Sequence, residues 1–188
     1  MSIENHVVSI TRDPNSIDEL INFQATILTV ITKDDFNNVK KSIIKNNDKY
    51  IRNNIDIISF YTTFEKTITS SASILVCSNK NIHIVKEVAE FIDSIKIVAD
   101  KEQVIKKINE NSKINLFSRL GTNELYRGIG LGTKINQARY NASENKIFSL
   151  STKPGKSSLE KLGFLKIYQS QIDSFENGNL VDLWLMES

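Results

Sequence analysis

The chain has 188 residues, 40% of them hydrophobic and 24% charged, with a formal net charge of +2. That balance suits one globular domain able to bury its own core and excludes a broad basic field, so nucleic acid is not an expected partner. Lysine pairs such as Lys40 with Lys41 and Lys106 with Lys107 fall inside helical patterns and read as solvated faces. The single cysteine, Cys77, excludes an internal disulfide, and His6 and His83 are not spaced as ligands, so no metal is expected. Residues 1–12 include Glu4 and lack the apolar core of a secretory signal. The longest apolar runs, such as 27–31 and 55–61, fall short of the roughly 20 residues of a membrane helix. No membrane partner is expected, and the cytoplasm is the expected location.

In chain order, Ser16 with Glu19 three residues later forms a capping-box pattern, and Ile17, Leu20, Ile21, Leu28 and Ile31 keep one face apolar; the spacing predicts a helix over 17–31. Thr32 followed by Asp34 and Asp35, then Phe36, Val39, Ile43 and Ile44, predicts a second helix to about residue 46. The two form a helical hairpin. Residues 55–64 are β-branched and aromatic, and 73–77 are apolar after a Thr/Ser-rich stretch; both suit strands. In 81–111, Val85, Val88, Ala89 and Ile92 repeat at helical spacing, 95–98 could be a short strand, and Asp100 with Gln103 could cap a further helix. A strand over 114–120, a helix to about residue 144 and a strand over 147–150 follow. Pro154 then opens a short helix that Gly163 stops before Phe164. Two extended runs, 165–175 and 180–186, close the chain as a hairpin through Asn177 and Gly178.

The stretch Arg127, Gly128, Ile129, Gly130, Leu131 and Gly132 is the most specific of the chain. Alternate glycines before a helical pattern (Leu131, Ile135, Ala138, Ala142) leave bare backbone N–H groups at a helix start, where an anion sits against the dipole. A dinucleotide fold wants Gly-x-Gly-x-x-Gly at a strand end and a carboxylate about 20 positions on; here the spacing differs and Ser149 and Ser151 stand in that region. A Walker loop needs Gly-Lys-Ser/Thr, and Gly132-Thr133-Lys134 does not supply it. On the triplet alone, a tight turn before a helix remains an adequate account.

Arg127-x-x-Gly130-x-Gly132 resembles the Arg/Gln-x-x-Gly-x-Gly/Ala signature of the GNAT superfamily of N-acetyltransferases. Leu159-Glu160-Lys161-Leu162-Gly163-Phe164 resembles its second hallmark, the Tyr-Glu-Lys-Leu-Gly-Phe ending of a later helix. The resemblance covers residues 113–188 and implies a single α/β domain of the GNAT type: a twisted, mixed but mostly antiparallel sheet with helices on both faces. Within it, 1–112 is an atypical N-terminal half with a possible insertion or substrate cap at 81–111, and 113–188 is the acyl-CoA-binding half. It further implies acetyl-CoA as cosubstrate, its pyrophosphate on backbone amides from Gly128 through Ile129, Gly130, Leu131 and Gly132 to Thr133, and Arg127 beside it. Leu120, Gly121 and Thr122 match the strand residues at the acetyl end, and the Thr122 backbone N–H matches the group that polarises the thioester carbonyl. The implied activity is acetyl transfer to a primary amine of a small molecule or peptide by direct attack. The alternative is an acyl-CoA-binding module with little or no turnover.

Two departures bear on catalysis. The strand before the glycine turn often carries a glutamate base in that family; here Asn115 and Ser118 are the polar candidates, leaving His83, His6, Glu65 or Asp56 to supply a base from the N-terminal half. The tyrosine that can protonate the leaving thiolate is matched by Leu159, and a cofactor-contacting asparagine by Thr152, which also suits a helix cap. Cys77 in its apolar run reads as a buried small hydrophobe rather than a nucleophile, and Tyr168 and Trp184 as packing residues. The acceptor and the oligomeric state are not legible.

Overall fold

Residues 2–173 and 180–188 are described in the computed structural model of the chain. Alternate side chains along its strands decide the layering. Strands β1 (Val7–Thr11), β2 (Asp56–Phe64), β3 (Thr67–Ser78), β4 (Lys113–Thr122), β5 (Lys146–Ser151), β6 (Leu165–Asp173) and β7 (Leu180–Glu187) form one sheet in the order β1-β2-β3-β4-β5-β7-β6. Every pairing is antiparallel except β4 with β5. On β3, β4 and β7, Leu75, Cys77, Ile114, Leu116, Leu183 and Leu185 point to one face, and Ile74, Phe117, Trp184 and Met186 to the other. This period-2 alternation gives the sheet two buried faces that helices must cover.

Helices α2 (Phe36–Arg52), α3 (Lys86–Ser94) and α4 (Val98–Asn109) close the first face, contributing Tyr50, Val88, Phe91, Val104 and Ile108 to its core. Helices α5 (Leu131–Asn141) and α6 (Lys153–Glu160) close the second through Ile135 and Leu159. Helix α1 (Asp18–Thr32) packs on α2 through Ile21, Ala25, Val39 and Ile43. The fold is the expected twisted, mostly antiparallel sheet with helices on both faces.

Several elements differ from the sequence reading. The pattern at Ser16 and Glu19 is not a capping box: Pro14–Ser16 forms a 3-10 turn, Ser16 Oγ donates to Asp13 O at 2.8 Å, and Ile17 takes the N-cap position before α1 with no side-chain cap. Helix α2 starts after Asp35, whose carboxylate accepts from Asn38 N, and runs on to Arg52 rather than stopping near residue 46. Residues 95–98 are not a strand. Ile95 ends α3 and drops into the core, while Ile97 precedes the first turn of α4, where Asp100 lies.

Strand β3 begins six residues before the apolar run that announces it. Its Thr/Ser-rich half is buried because its hydroxyls pair across the sheet: Ser59 with Ser73 at 3.0 Å, Thr62 with Thr69 at 2.9 Å, and Ser70 with Thr122 at 2.8 Å. Buried hydroxyls that satisfy one another avoid the usual desolvation cost. The β2–β3 hairpin turns through Glu65 and Lys66, both at positive φ, the two-residue geometry that matches strand twist. That hairpin stands between the opening helices and β4, and α3 and α4 are extra elements after it. Edge strand β1 was not anticipated; with Val7 and Ile10 exposed it offers no buried face to read. The Asn177 and Gly178 turn lies outside the described residues.

Residues 81–111 therefore cover a sheet face as part of the main core. Phe91→Ala removes a side chain that is 1% exposed and is expected to cost about 3–5 kcal/mol in urea unfolding. An unchanged midpoint would show that this segment folds apart from the sheet.

Candidate functional site

The site begins where two strands part. β4 and β5 pair in parallel from Ile114 with Lys146 to Phe117 with Ser149, and there the ladder stops. β4 then follows β3, with Gly121 against Ser71 and Thr122 against Ser70, while β5 follows β7, with Ser151 against Trp184. The divergence opens a cleft of about 650 Å³ between them, with the start of α5 at its edge. Inside it β4 has a free backbone edge beyond Phe117.

A bulge sits at this point. Ser73 pairs with Ser118 and Ser71 with Gly121, so Arg119 and Leu120 together oppose Ala72, and Arg119 adopts φ 57°. Such an insertion bends the strand and turns a peptide out of the ladder. Arg139 of α5 fills the resulting gap: Nη1 donates to Ser73 O at 3.0 Å and Ser118 O at 3.1 Å, Nη2 donates to Asn136 Oδ1, and the guanidinium lies 4.1 Å from the Phe117 ring centre. Arg139 is fully buried, and burial lowers its guanidinium to about 9, leaving it charged at neutral pH. Its partners are carbonyls and a π-face, with no carboxylate among the described residues. Sequence reasoning missed it. Yet Arg139 stands four residues after Ile135 and eight after Leu131, on the apolar face of α5, and a charge there signals a buried role.

At the outer end, Gly128 and Gly130 take φ 84° and 91°, and Gly130 is the residue before α5. A side chain at either would be strained, and a Cβ at Gly130 would stand 3.2 Å from Ile3 Cδ1. The first turn of α5, from Leu131 through Gly132 and Thr133, consequently presents backbone N–H groups that have no acceptor within the helix. The N-terminal segment braces this turn from behind. Lys134 Nζ donates to His6 O at 2.6 Å and Ile3 O at 3.0 Å.

The cleft brings together nearly all the residues singled out from sequence. Leu120, Gly121 and Thr122 line the β4 wall; Arg127, Gly128, Gly130, Leu131, Gly132 and Thr133 line the α5 end; and Thr152 lines the mouth at the end of β5. Ile129 is half-buried and does not line it. Thr122 shares a 2.8 Å hydrogen bond with Ser70, and Arg127 ion-pairs with Glu124 at 3.3 Å while its Nε donates to Thr122 O at 3.4 Å. Thr152 precedes α6 without capping it through its side chain. Between the walls lies a polar floor: Asn136 Nδ2 donates to Ser158 Oγ at 2.9 Å, beside buried Ser149 and Ser151.

None of the four base candidates lines the cleft. His83, Glu65 and Asp56 are exposed elsewhere, and His6 is buried behind Tyr126, stacked on Phe64 at 5.2 Å. Cys77 is buried in the first-face core, with its thiol pushed up to about 12 by burial. Leu159 is core, packed in the second-face cluster with Phe117 and Phe164. Tyr168 donates to Asp100 Oδ2 at 3.1 Å and packs edge-on to Phe91, and Trp184 is buried under α6. The charged groups lining the cleft are Arg119, Arg127 and Arg139, with no carboxylate or imidazole among the described lining residues. No group of three metal-ligating side chains occurs among the described residues, nor does any helix long and apolar enough to cross a membrane.

His6 Nδ1 shares a 3.1 Å hydrogen bond with Thr69 Oγ1, Nε2 has no partner, and its pKa is lowered by burial first, then by Lys134 and the N-terminus. A lowered folded pKa means the unfolded chain takes up the proton first, so stability falls as pH drops below histidine's ordinary range near 6.5. His6→Phe is expected to flatten the slope of unfolding free energy between pH 7 and pH 5. An unaltered slope would assign it to other groups.

No protein-family model matches the sequence, and no curated protein matches it. Solved structures do match in fold. A polyamine N-acetyltransferase of Drosophila melanogaster that forms N-acetylagmatine superposes with a TM-score of 0.62 at 10% identity, covering 97% of this chain and 99% of that one. Arylalkylamine N-acetyltransferase 2 of Aedes aegypti gives 0.61 at 12% identity, covering 98% of each chain. Arabidopsis thaliana NAA60 in complex with acetyl-CoA gives 0.57 at 14% identity, covering 97% of this chain and 98% of that one. At such identities the likeness establishes the fold, and the activities named belong to those proteins.

Proposed function

We propose that this GNAT-fold protein transfers an acetyl group from acetyl-CoA to a primary amine. The observation that carries the reading is the conjunction, in one cleft, of a strand edge freed by the β4–β5 divergence and an amide-presenting helix start with left-handed glycines. A diphosphate suits the α5 start, where converging N–H groups and the dipole favour a dianion and the left-handed backbone at Gly128 and Gly130 sets the turn that presents them. The amides of an extended pantetheine arm suit the unpaired β4 edge. The thioester carbonyl then falls to the Leu120, Gly121 and Thr122 segment, with the Thr122 backbone N–H as its polarising donor.

In this reaction the neutral amine nitrogen bonds to the acetyl carbon, the carbon–sulfur bond breaks so that coenzyme A leaves as its thiolate, and the nitrogen releases its remaining excess proton to solvent. The attacking amine must first be neutral, and an ammonium of pKa near 10 costs about 4 kcal/mol to deprotonate at pH 7. With no base among the described cleft residues, the proton leaves through water, for which the Ser149, Ser151 and Ser158 hydroxyls offer partners. The thiolate leaves without an obligatory acid, so Leu159 is compatible with turnover. Leu159 and the missing base equally support the other reading, a module that binds acyl-CoA and turns it over slowly or not at all. The lone reduced thiol of Cys77 fits a cytoplasmic location.

Acetyl-CoA is expected to raise the melting temperature, and free thiol is expected to appear across a panel of small-molecule and peptide amines. A melting shift without thiol release identifies the binding module; no shift at all would sink the acetyl-CoA reading. Gly130→Val is expected to weaken acetyl-CoA at least tenfold, about 1.4 kcal/mol. Cys77→Ala is expected to retain thiol release, because transfer is direct; loss of release in a folded variant would instead mean an acetyl-cysteine intermediate.

A further inference from the structure

Beyond the acyl end of the cleft, a small side pocket of about 60 Å³ lies between α1 and the β4 bulge. Arg119, Leu120, Gly121 and Ile27 belong to both its wall and the cleft's, so the two spaces share a boundary at the segment assigned to the thioester. Gln24 lines this pocket from α1. It is 4% exposed, and neither its Oε1 nor its Nε2 has a hydrogen-bond partner. A buried carboxamide left unpaired at both ends is costly and unusual in a folded protein. A Cβ on Gly121 would come within 2.9 Å of Ile27 Cγ2, so α1 is seated closely on β4 beside this pocket.

Arg119 lines the same pocket from β4. Its Nη1 donates to Asn47 Oδ1 at 2.5 Å and its guanidinium lies 5.7 Å from the Tyr50 ring centre. Neither neighbour is anionic, and no carboxylate pairs with Arg119 among the described residues. The pocket thus offers one acceptor oxygen and one pair of amide hydrogens from Gln24, with Arg119 in its wall, in a volume that holds a carboxylate or about two waters.

The geometry points to an acceptor whose amine is flanked by a carboxylate, as in a free amino acid, with Gln24 and Arg119 as its recognition pair. Gln24 Oε1 accepts from the amine, Gln24 Nε2 donates to the carboxylate, and Arg119 neutralises it. A polycationic amine is unmatched, because the charged groups among the described residues lining the cleft are all arginines. The inference rests on the acetyl-transfer reading and deepens it by naming the acceptor class.

The test uses matched triplets: the common amino acids, their carboxamides and the corresponding decarboxylated amines, with acetyl-CoA and the full chain. Thiol release is expected to be at least tenfold faster in kcat/KM for the acid than for its decarboxylated amine. In Gln24→Leu that ratio collapses toward one through KM, while the acetyl-CoA melting shift reports that the variant is folded. Equal or faster turnover of the carboxamides, the decarboxylated amines or a polyamine overturns the proposal, as does a ratio that survives in Gln24→Leu. If no amine is turned over, the acetyl-transfer reading fails separately, and calorimetric titration of the same triplets onto protein saturated with coenzyme A decides. Acid-selective binding that is lost in Gln24→Leu supports the pocket, and no binding means it holds water only.

Discussion

A strand that leaves its neighbour inside a protein must account for every backbone group it unpairs, and β4 does this just after Phe117. The protein handles the two kinds of orphan differently. The carbonyls of Ser73 and Ser118, freed by the bulge, are taken by the Arg139 guanidinium. The edge facing β5 is left to the cleft. An arginine suits the task because its rigid fork spans two carbonyls at once, and the Phe117 face below it offsets part of its lost hydration. The bulge, the opening and the buried cation are one arrangement.

Helix α5 supplies both ends of that arrangement. Its first turn presents amides at the mouth, and Arg139, eight residues after Leu131 and hence about 12 Å along the axis, reaches the bulge. The distance between the two is fixed by one rigid element, so neither can drift relative to β4. Lys134 ties the same helix to the N-terminal segment, and Ile3 backs Gly130. A chain end that looked featureless in sequence thereby sets how firmly the amide-presenting turn is held.

What the sequence made legible follows from which residues carry short-range signals. The glycine turn was readable because positive φ and an exposed helix start demand particular residues, and the element order from β4 onward followed from period and punctuation. The buried half of β3 was not, because Thr69, Ser70, Ser71 and Ser73 look like loop until their partners across the sheet are known. Arg139 was hidden for the same reason: its partners are carbonyls on β3 and β4, between 21 and 66 residues away. Gln24, too, reads from sequence as one more polar position on a helix, and only the fold places it inside. Polar groups whose meaning depends on distant partners are the least readable class, and they are the ones that shape this cleft.

The charge of the cleft bears on the step that its side chains do not otherwise serve. On the acetyl-transfer reading proposed above, an acceptor amine approaching Arg119 and Arg139 would meet fixed positive charge, which disfavours its protonated form. A single like charge 6 Å away at an effective dielectric of 20 is worth about 3 kcal/mol, comparable to the cost of deprotonating an alkylammonium at neutral pH. The same field that drives off the proton would also drive off the ammonium itself, unless the acceptor brings a negative group to be held in exchange. On the proposed reading, an amine with an adjacent carboxylate resolves the conflict: the carboxylate is held against Arg119 and cancels its charge, while Arg139, bonded only to carbonyls, still disfavours the ammonium form, with no general base among the described cleft residues.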